Sequence, residues 1–445
     1  KIANKLFRIV KKILKLLTSR MVIIGVALLL EFCWLAGIVM QLNEKSVYIN
    51  YAVTILSLIA VLSIINNPKM NPGYKLMWAV CILALPVTGI CLYGILGHSS
   101  VARKFRTHYD TVLLSQGGVL GEEEETRKKL EEENILAAGQ SSYLTNYAHY
   151  PVYVNTETEY YPLGDVWFEH FIEELKKAEH YIFMEYFIIS EGYLWDTVLE
   201  ILKEKAAAGV DVRVIYDDFG CVTTLPYQYY KSLQQMGIKC AAFNQFRPVL
   251  NVILNNRDHR KIAVIDGHTA FTGGINLADE YINRKERFGH WKDTGVRIDG
   301  AGAWGFASQF IQMWKMIGRS LPNEDDYYRP RVEIEGTGWC QPFTDGPLNN
   351  PDNPIEDTYL QLIASAQKML YITTPYYAVE ESMQKALCIA ADAGVDVRLV
   401  VPAIPDKKYV YMVAETYWGE LLAHGVKIYR YTPCLLYTSD AADEL

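Results

Sequence analysis

The sequence predicts an α/β fold with two similar lobes, the second of them incomplete, behind an N-terminal helical membrane segment. Three observations support this prediction: apolar runs near the start, alternating helix and strand patterns from Pro151 onward, and an internal repeat. Half of the 445 residues are hydrophobic and the net charge is -8, which argues against a general nucleic-acid-binding protein. We therefore expect no nucleic-acid partner.

The first 97 residues indicate a membrane anchor. Residues 1–20 form a basic amphipathic flank, where lysines and arginines surround a helical apolar face. Residues 21–97 contain apolar runs at 21–42, 47–65 and 76–96, and a spanning helix needs about 20 such residues. We expect two or three transmembrane helices, because the third run contains Pro86 and could re-enter the same side. The orientation stays open, with the basic residues that follow slightly favouring a cytoplasmic catalytic part.

Residues 98–150 change in character and indicate a charged linker, in which GEEEETRKKLEEEN predicts a solvated helix. An alternation of helices and strands follows. VWFEHFIEELKKA and LWDTVLEILKEKAAAG predict helices, whereas HYIFMEYFII and VDVRVIYDD predict buried strands.

The same pattern then recurs. Residues 208–213 are identical to residues 393–398, 185 positions later, and QQMGIKCAAFN parallels LLAHGVKIYRYT at an offset of 188. Helix and strand patterns precede both copies. A repeat of this size predicts two α/β halves of one domain, or two similar domains, which we place at residues 151–345 and 346–433.

The candidate catalytic residues lie in NRDHRKIAVIDGHTAFTGGIN, residues 256–276. His259 and Lys261 alternate along a predicted strand and therefore point to one face. Asp266 and the glycine after it predict a hairpin turn. Taken singly, these residues fit structural roles: a satisfied histidine, a solvated lysine and a turn aspartate. Their joint spacing with Gly274 and Asn276, in a GGxN sequence, favours a functional site.

These residue types suit phosphoryl transfer. A neutral imidazole can attack phosphorus and form a phospho-histidine, and a lysine beside it offsets charge on the phosphoryl oxygens. An asparagine and glycine amides can hold the same oxygens, and an aspartate can fix a histidine tautomer. This chemistry requires no metal and no cofactor.

The motif HRKIAVIDGHTAFTGGIN resembles the HxKxxxxD and GGxN pattern of the phospholipase D superfamily. Together with YKLMWAVCILALPVTGICLYGILG, WKDTGVRIDG and VPAIPDKKYVYMVAETYWGELLAHGVKIYRYTP, it makes residues 65–433 resemble the bacterial cardiolipin synthase family. The resemblance implies a phospholipase D-like fold in a multi-pass protein of the bacterial cell membrane. It implies a reaction that joins two phosphatidylglycerols and releases glycerol, with an anionic phospholipid as substrate. It further implies catalytic roles for His259, Lys261 and Asp266, and phosphate contacts from Gly274 and Asn276.

The family carries a second motif of this kind, and this sequence departs from it. Cys434 and Tyr437 stand where the family pattern has glycine and histidine. Residues 434–445 resemble a translated transposase sequencing adapter. We therefore expect a chain truncated after Pro433, and no activity from it for lack of the second motif. Whether His259 is the nucleophile or the acid/base stays open.

Other functions are compatible with parts of the pattern. A phospholipase D-type hydrolase or a phosphatidylserine synthase would use water or serine in place of the glycerol hydroxyl. A non-catalytic membrane scaffold is disfavoured by the intact first motif. A one-motif nuclease dimer is disfavoured by the apolar segments, the acidic balance and the repeat. The acceptor alcohol and the oligomeric state stay open.

Overall fold

The computed structural model describes residues 20–39, 44–68, 70–97, 107, 111–112, 124–245, 257–321, 327–332, 334–346, 353–432 and 434–436. Its described residues fall into two compact units, one containing residues 20–97 and the other containing the residues from 107 onward. Residues 1–19 of the expected basic flank lie outside the described residues.

The N-terminal unit is helical: α1 (Arg20–Val39), α2 (Glu44–Ile65), α3 (Pro72–Ala84) and α4 (Pro86–Leu92). Glu31 is buried, and its Oε2 accepts a hydrogen bond from the Thr88 amide at 2.6 Å. Pro86 divides the third apolar run, because α4 starts there as a separate helix of seven residues. Within the described part of the chain, no helix combines the length and the apolar composition that crossing a membrane requires. The expected transmembrane segment at residues 21–97 is therefore not confirmed.

The second half of the expected linker packs against the rest of its unit. It forms α5 (Glu124–Glu133) and α6 (Ile135–Tyr143). Leu130 is buried in a small cluster with Val152, and the Trp339 indole donates to Glu133 Oε2 at 2.8 Å. The structure differs here from the solvated helix that the charge run predicts, because two residues of α5, Thr126 and Leu130, are buried while its charges stay exposed.

An eight-stranded mixed sheet forms the centre of the first lobe, with the strand order β4-β3-β2-β5-β6-β8-β1-β9. The strands are β1 (Tyr153–Tyr161), β2 (Tyr181–Tyr186), β3 (Asp211–Asp217), β4 (Lys239–Phe243), β5 (Lys261–Ile265), β6 (Thr269–Gly273), β8 (Gly295–Gly300) and β9 (Gly338–Cys340). Strands β2, β3 and β4 are parallel, and β5 pairs antiparallel with both β2 and β6. The short β7 (His290–Lys292) pairs with β13 (Cys434–Leu436).

Helices cover both faces of this sheet. α7 (Gly164–Lys177), α8 (Tyr193–Ala207) and α9 (Tyr229–Gln235) contribute to one buried cluster, and α10 (Ala301–Met316) contributes to the other. The alternating residues of β5 divide between them, with Ala263 and Ile265 in the first cluster and Ile262 and Val264 in the second. This strand is therefore buried on both sides.

The second lobe repeats part of this arrangement. It contains α11 (Pro354–Ser365), β10 (Met369–Thr373), α12 (Glu381–Asp392), β11 (Asp396–Pro402), α13 (Lys408–Ala423) and β12 (Lys427–Tyr431). Its three strands form a parallel sheet in the order β10-β11-β12. The same order of helices and strands runs from α7 to β4, so the sequence repeat corresponds to a repeated structural unit.

The repeat includes an ion triad. In the first lobe, Asp211 binds Arg213 at 2.9 Å and Lys239 at 2.8 Å. In the second lobe, Asp396 binds Arg398 at 2.6 Å and Lys427 at 2.7 Å. The Arg213 side chain is 4% exposed, whereas the Arg398 side chain is 40% exposed. Tyr328 covers the first triad and donates to Asp211.

Asp266 joins the turn after β5 to the start of β2. It has a positive φ of 52°, as the predicted turn requires, and the next residue, Gly267, has a φ of 79°. Its carboxylate accepts hydrogen bonds from the amides of Glu179, His180 and Tyr181 at 2.7–2.8 Å. One side chain thus satisfies three consecutive donors where the central strand begins.

We expect Asp266→Asn to lower the free energy of unfolding by about 2–4 kcal/mol, because three amides lose part of a charged acceptor. Asparagine tolerates the positive φ, so the change isolates the carboxylate. Urea unfolding followed by circular dichroism measures the effect, with the exposed Glu169→Gln as the matched control. A loss no larger than that of the control would contradict this role for Asp266.

Candidate functional site

His259 and Lys261 are in direct contact. Lys261 is the first residue of β5 and is only 2% exposed, and His259 precedes it by two positions. The Lys261 ammonium lies 2.8 Å from His259 Nδ1 and 3.2 Å from Nε2, and it also donates to the His259 carbonyl. The Phe187 ring packs on the imidazole with centroids 4.6 Å apart. The structure thus brings together the two residues that the sequence spacing pairs.

The imidazole of His259 is held in its neutral form. Burial, together with the positive charges of Lys261 and Lys407, lowers its pKa to about 2. A cation cannot donate to a protonated imidazole, so the short contact with the Lys261 ammonium also requires a neutral ring. A neutral ring keeps a lone pair on nitrogen, which is the form that can attack an electrophile.

A buried carboxylate fixes the chain just before His259. Asp217 ends β3, and it accepts hydrogen bonds from the amides of Asp258 at 3.0 Å and Gly220 at 2.9 Å. Arg257 lies 3.3 Å from the same carboxylate. Burial raises the pKa of Asp217 to about 6, although these amide donors and Arg257 oppose the rise.

A second set of charges fixes the chain on the other side of His259. Arg260 lies 2.9 Å from Asp258 Oδ1 and 2.7 Å from Glu185 Oε1, on the neighbouring strand β2. Burial raises the pKa of Glu185 well above its ordinary value, and Arg260 opposes that rise. The chain is thus tied to buried carboxylates on both sides of His259, by Arg257 before it and by Arg260 after it.

Asp266 does not reach this site. It lies at the other end of β5, seven residues from His259, which corresponds to roughly 20 Å of extended chain. Its carboxylate is engaged by three backbone amides of the segment that enters β2. Asp266 is therefore not placed to orient His259, and the turn role explains its contacts; its role in orienting a histidine stays a prediction.

Gly274 and Asn276 form hydrogen bonds with neighbouring parts of the first lobe. Asn276 is fully buried; its Oδ1 accepts from the Ile188 amide at 2.9 Å, and its Nδ2 donates to the Tyr281 hydroxyl at 2.8 Å. The Gly274 amide donates to the Thr294 carbonyl at 3.1 Å. These groups tie the turn to its neighbours, so the predicted phosphate contacts from both residues stay a prediction.

Sequence reasoning missed a buried carboxylate near this turn. A side-chain carbon at Gly274 would meet Asp293 Oδ1 at 2.2 Å, so only glycine fits beside this aspartate. Asp293 is fully buried and lies two residues before β8. Because Gly273 and Gly295 are paired in the sheet, Asp293 belongs to the end of the sheet where β5 begins. The sequence signal was the segment WKDTGVRIDG.

The second lobe contributes Lys407, whose charge acts on His259. Lys407 precedes α13, and its ammonium lies 4.5 Å from the centre of the Tyr376 ring. Tyr376 is buried in the core of the first lobe and donates to Asp406. The site therefore combines the ends of β3 and β5 with the loop after β11. In the sequence, Lys407 lies in the segment VPAIPDKKYV, which begins at the end of the repeated strand β11.

The chain is similar to known proteins over most of its length. It matches a family model described as "Cardiolipin synthase, PLD-like domain" over residues 171–314 and 359–439, and one described as "Phospholipase_D-nuclease N-terminal" over residues 55–98. An uncharacterized protein of Streptococcus mutans is 38% identical, with 84% of this chain and 81% of the relative covered. A cardiolipin synthase of a Geobacillus species is 33% identical, with 86% and 76% covered. Cardiolipin synthase 2 of Bacillus anthracis is also 33% identical, with 83% and 72% covered.

Two expectations about the end of the chain need correction. The first family match continues to residue 439, past Pro433, and the described residues Cys434–Leu436 form a strand that pairs with β7. The expectation of a chain truncated after Pro433 is not borne out. The expectation of an inactive fragment, which depended on it, is not confirmed.

We expect nuclear magnetic resonance titration of labelled histidines to show the His259 ring neutral from pH 8 down to below pH 5, because its pKa lies far below the ordinary 6.5. Lys261→Met should raise this pKa while leaving it below 6.5, since burial remains. Because the folded-state pKa is lower than the unfolded-state value, His259 supports folding above pH 6.5 and loses that contribution as the pH falls. The exposed Lys231→Met is the control, and an unchanged His259 pKa in Lys261→Met would exclude the electrostatic coupling.

Proposed function

Because this chain belongs to the cardiolipin synthase family of the phospholipase D superfamily, we propose that it joins two phosphatidylglycerols into cardiolipin and releases glycerol. Family membership makes the protein a phosphatidyltransferase. The observation that supports the finer assignment best is the neutral His259 imidazole in contact with the buried Lys261 ammonium. A nucleophile and a fixed positive charge then meet the same phosphoryl group.

The proposed reaction has two displacements. In the first, a ring nitrogen of His259 attacks the phosphorus of one phosphatidylglycerol. A phosphorus–nitrogen bond forms, the phosphorus–oxygen bond to glycerol breaks, and the glycerol oxygen takes a proton from water as it leaves. In the second, the hydroxyl of another phosphatidylglycerol returns a proton to water and attacks phosphorus, and the phosphorus–nitrogen bond breaks. The imidazole is then restored.

Lys261 stabilises both displacements in this scheme. Its ammonium lies within 3.2 Å of both ring nitrogens, so it stands next to the oxygens of any phosphoryl group bonded to the ring. Those oxygens carry the charge that develops in the transition state, and a buried cation acts on them with little screening. Lys407 adds a second positive charge from the other lobe, on the evidence of its effect on His259.

The substrates would place the protein at the bacterial membrane. Phosphatidylglycerol is an anionic lipid whose acyl chains stay in the bilayer, so the catalytic unit must work at the membrane surface. We propose that the apolar helices of residues 20–97 hold it there. Their many exposed apolar side chains support this, among them Leu29, Phe32, Leu62 and Leu76.

A vesicle assay distinguishes this function from its alternatives. With phosphatidylglycerol labelled in the headgroup glycerol and in an acyl chain, the protein should produce labelled cardiolipin and an equal amount of free glycerol. Phosphatidic acid as the main product would instead assign a hydrolase. Phosphatidylserine formed in preference to cardiolipin when serine is added would assign a phosphatidylserine synthase.

In the same assay, Lys261→Met should lower kcat by about 10²–10³, because one aligned charge at a transition-state oxygen contributes about 2.7–4 kcal/mol. Binding to vesicles should not change. Lys231→Met, which removes an exposed lysine of the same unit, is the control. A loss below tenfold in a correctly folded Lys261→Met protein would remove Lys261 from the reaction.

The covalent step makes a separate prediction. Excess glycerol should convert cardiolipin back into phosphatidylglycerol, because both displacements exchange similar phosphodiesters. The configuration at phosphorus should be retained, since each of two in-line displacements inverts it. A chiral phosphorothioate substrate measures the outcome. Net inversion would mean direct attack by the acceptor alcohol, with His259 acting only as a base.

A further inference from the structure

Two neighbouring helices of the second lobe bring together side chains that the proposed reaction does not use. α12 carries Cys388, and α13 carries Glu420 and is followed by His424. The thiol, the carboxylate and the imidazole offer one ligand atom each, and these atoms all lie within 4.8 Å of one another. Cys388 is fully buried, whereas Glu420 is exposed. The cluster is therefore open to solvent on one side.

Other side chains already orient these groups. Asp392, one turn after Cys388, lies 2.7 Å from His424 Nδ1. A carboxylate on one ring nitrogen fixes the tautomer that leaves the lone pair on the other, and metal-bound histidines have this arrangement. The Gln384 amide lies 3.2 Å from one oxygen of Glu420, which leaves the other oxygen as a ligand.

The first lobe provides an internal comparison. At the corresponding positions, 185 residues earlier on α8 and 188 earlier near α9, it has Lys203, Ala207, Ser232 and Met236. None of these four side chains can form an equivalent cluster of cysteine, carboxylates and histidine. The same pair of helices thus packs on the same kind of sheet without the cluster, so helix packing does not explain it.

We propose that Cys388, Glu420 and His424 bind one Zn²⁺ ion, with Asp392 positioning the imidazole. Zinc accepts sulfur, nitrogen and oxygen ligands at about 2.0–2.3 Å, whereas calcium and magnesium select oxygen alone. Tetrahedral bonds of that length place ligand atoms roughly 3.3–3.8 Å apart, so the three groups need to approach by at most about 1.5 Å. Binding replaces the thiol proton of Cys388, which passes to solvent, and a water molecule completes the coordination.

The ion would connect α12 to α13 and so stabilise the second lobe. It would take no part in the chemistry at His259, because its ligands come from the far ends of these helices. The proposal concerns binding and stability, and it does not depend on which phosphatidyl transfer the protein catalyses. Failure of the zinc experiment would leave the proposed function untouched, and the reverse also holds.

Metal titration of the full chain, first stripped with a chelator, tests the proposal. Zn²⁺ should bind one per chain in competition with a chromophoric chelator and should raise the thermal unfolding midpoint. Co²⁺ in its place should give a thiolate-to-metal charge-transfer band and the absorption of a four-coordinate ion. Asp392→Asn should weaken binding about 10–100-fold, as loss of an orienting partner does.

Variants locate the ion. Cys388→Ser should abolish the charge-transfer band, and Glu420→Gln and His424→Gln, which alter less buried positions, should each weaken binding at least about tenfold. Cys33→Ser and Glu381→Gln, which change an exposed thiol and an exposed carboxylate elsewhere, should leave binding unchanged. Folding of every variant is checked by circular dichroism. Cobalt without a thiolate band, or zinc bound equally well by His424→Gln, would overturn the proposal.

Discussion

The antiparallel pairing of β5 with β2 and β6 determines where the histidine stands. Lys261 is opposite Tyr186 in this register, and the strand is buried on both faces. A slip by one residue would turn every side chain to the opposite face and would exchange the two hydrophobic clusters. The cost of the slip is therefore spread over the whole core. Burying the Lys261 side chain is unfavourable by itself. It stays buried because any shift in the register of β5 would disrupt the packing of both hydrophobic clusters.

Burial acts in opposite directions on the two kinds of charged group near the site. It makes the His259 ring a weaker base and makes Asp217 and Glu185 weaker acids. Basic side chains lie between these groups and compensate part of the desolvation. The result is a neutral imidazole beside the positive charges of Lys261 and Lys407. Because Lys407 belongs to the second lobe, this electrostatic environment depends on both halves of the duplication.

Sequence periodicity was sufficient where one local pattern determines the structure. The helices α7 and α8 and the strands β2 and β3 were predicted nearly to their ends, because apolar spacing directly reflects burial. The pairing of His259 with Lys261 followed from strand alternation in the same way. The internal repeat could be recognised because residues 208–213 and 393–398 are identical.

The remaining features depend on distant parts of the chain. Asp266 fits a motif that suggests histidine chemistry, yet the extended strand β5 separates it from His259. Spacing along the sequence does not determine which groups a side chain contacts in the fold. The phosphate contact of Asn276 stays a prediction, and the hydrogen bonds of its buried amide to Ile188 and Tyr281 could not be inferred from spacing. Lys407 follows a strand of the other lobe, so only the packing of the lobes brings it to His259. The many charges of α5 predicted a solvated helix, and the packing of its one buried leucine, Leu130, was not predicted.

The two copies of the ion triad differ in how strongly dissolved salt weakens them. Mobile ions weaken interactions between solvent-exposed charges, with a screening length of about 8 Å at physiological ionic strength, and they screen buried pairs much less. They reach the Asp396–Arg398 pair, with side chains 27% and 40% exposed, but hardly the Asp211–Arg213 pair, at 7% and 4%. The same three residue types, inherited by both halves, thus form a salt-sensitive contact in one lobe and a salt-resistant contact in the other.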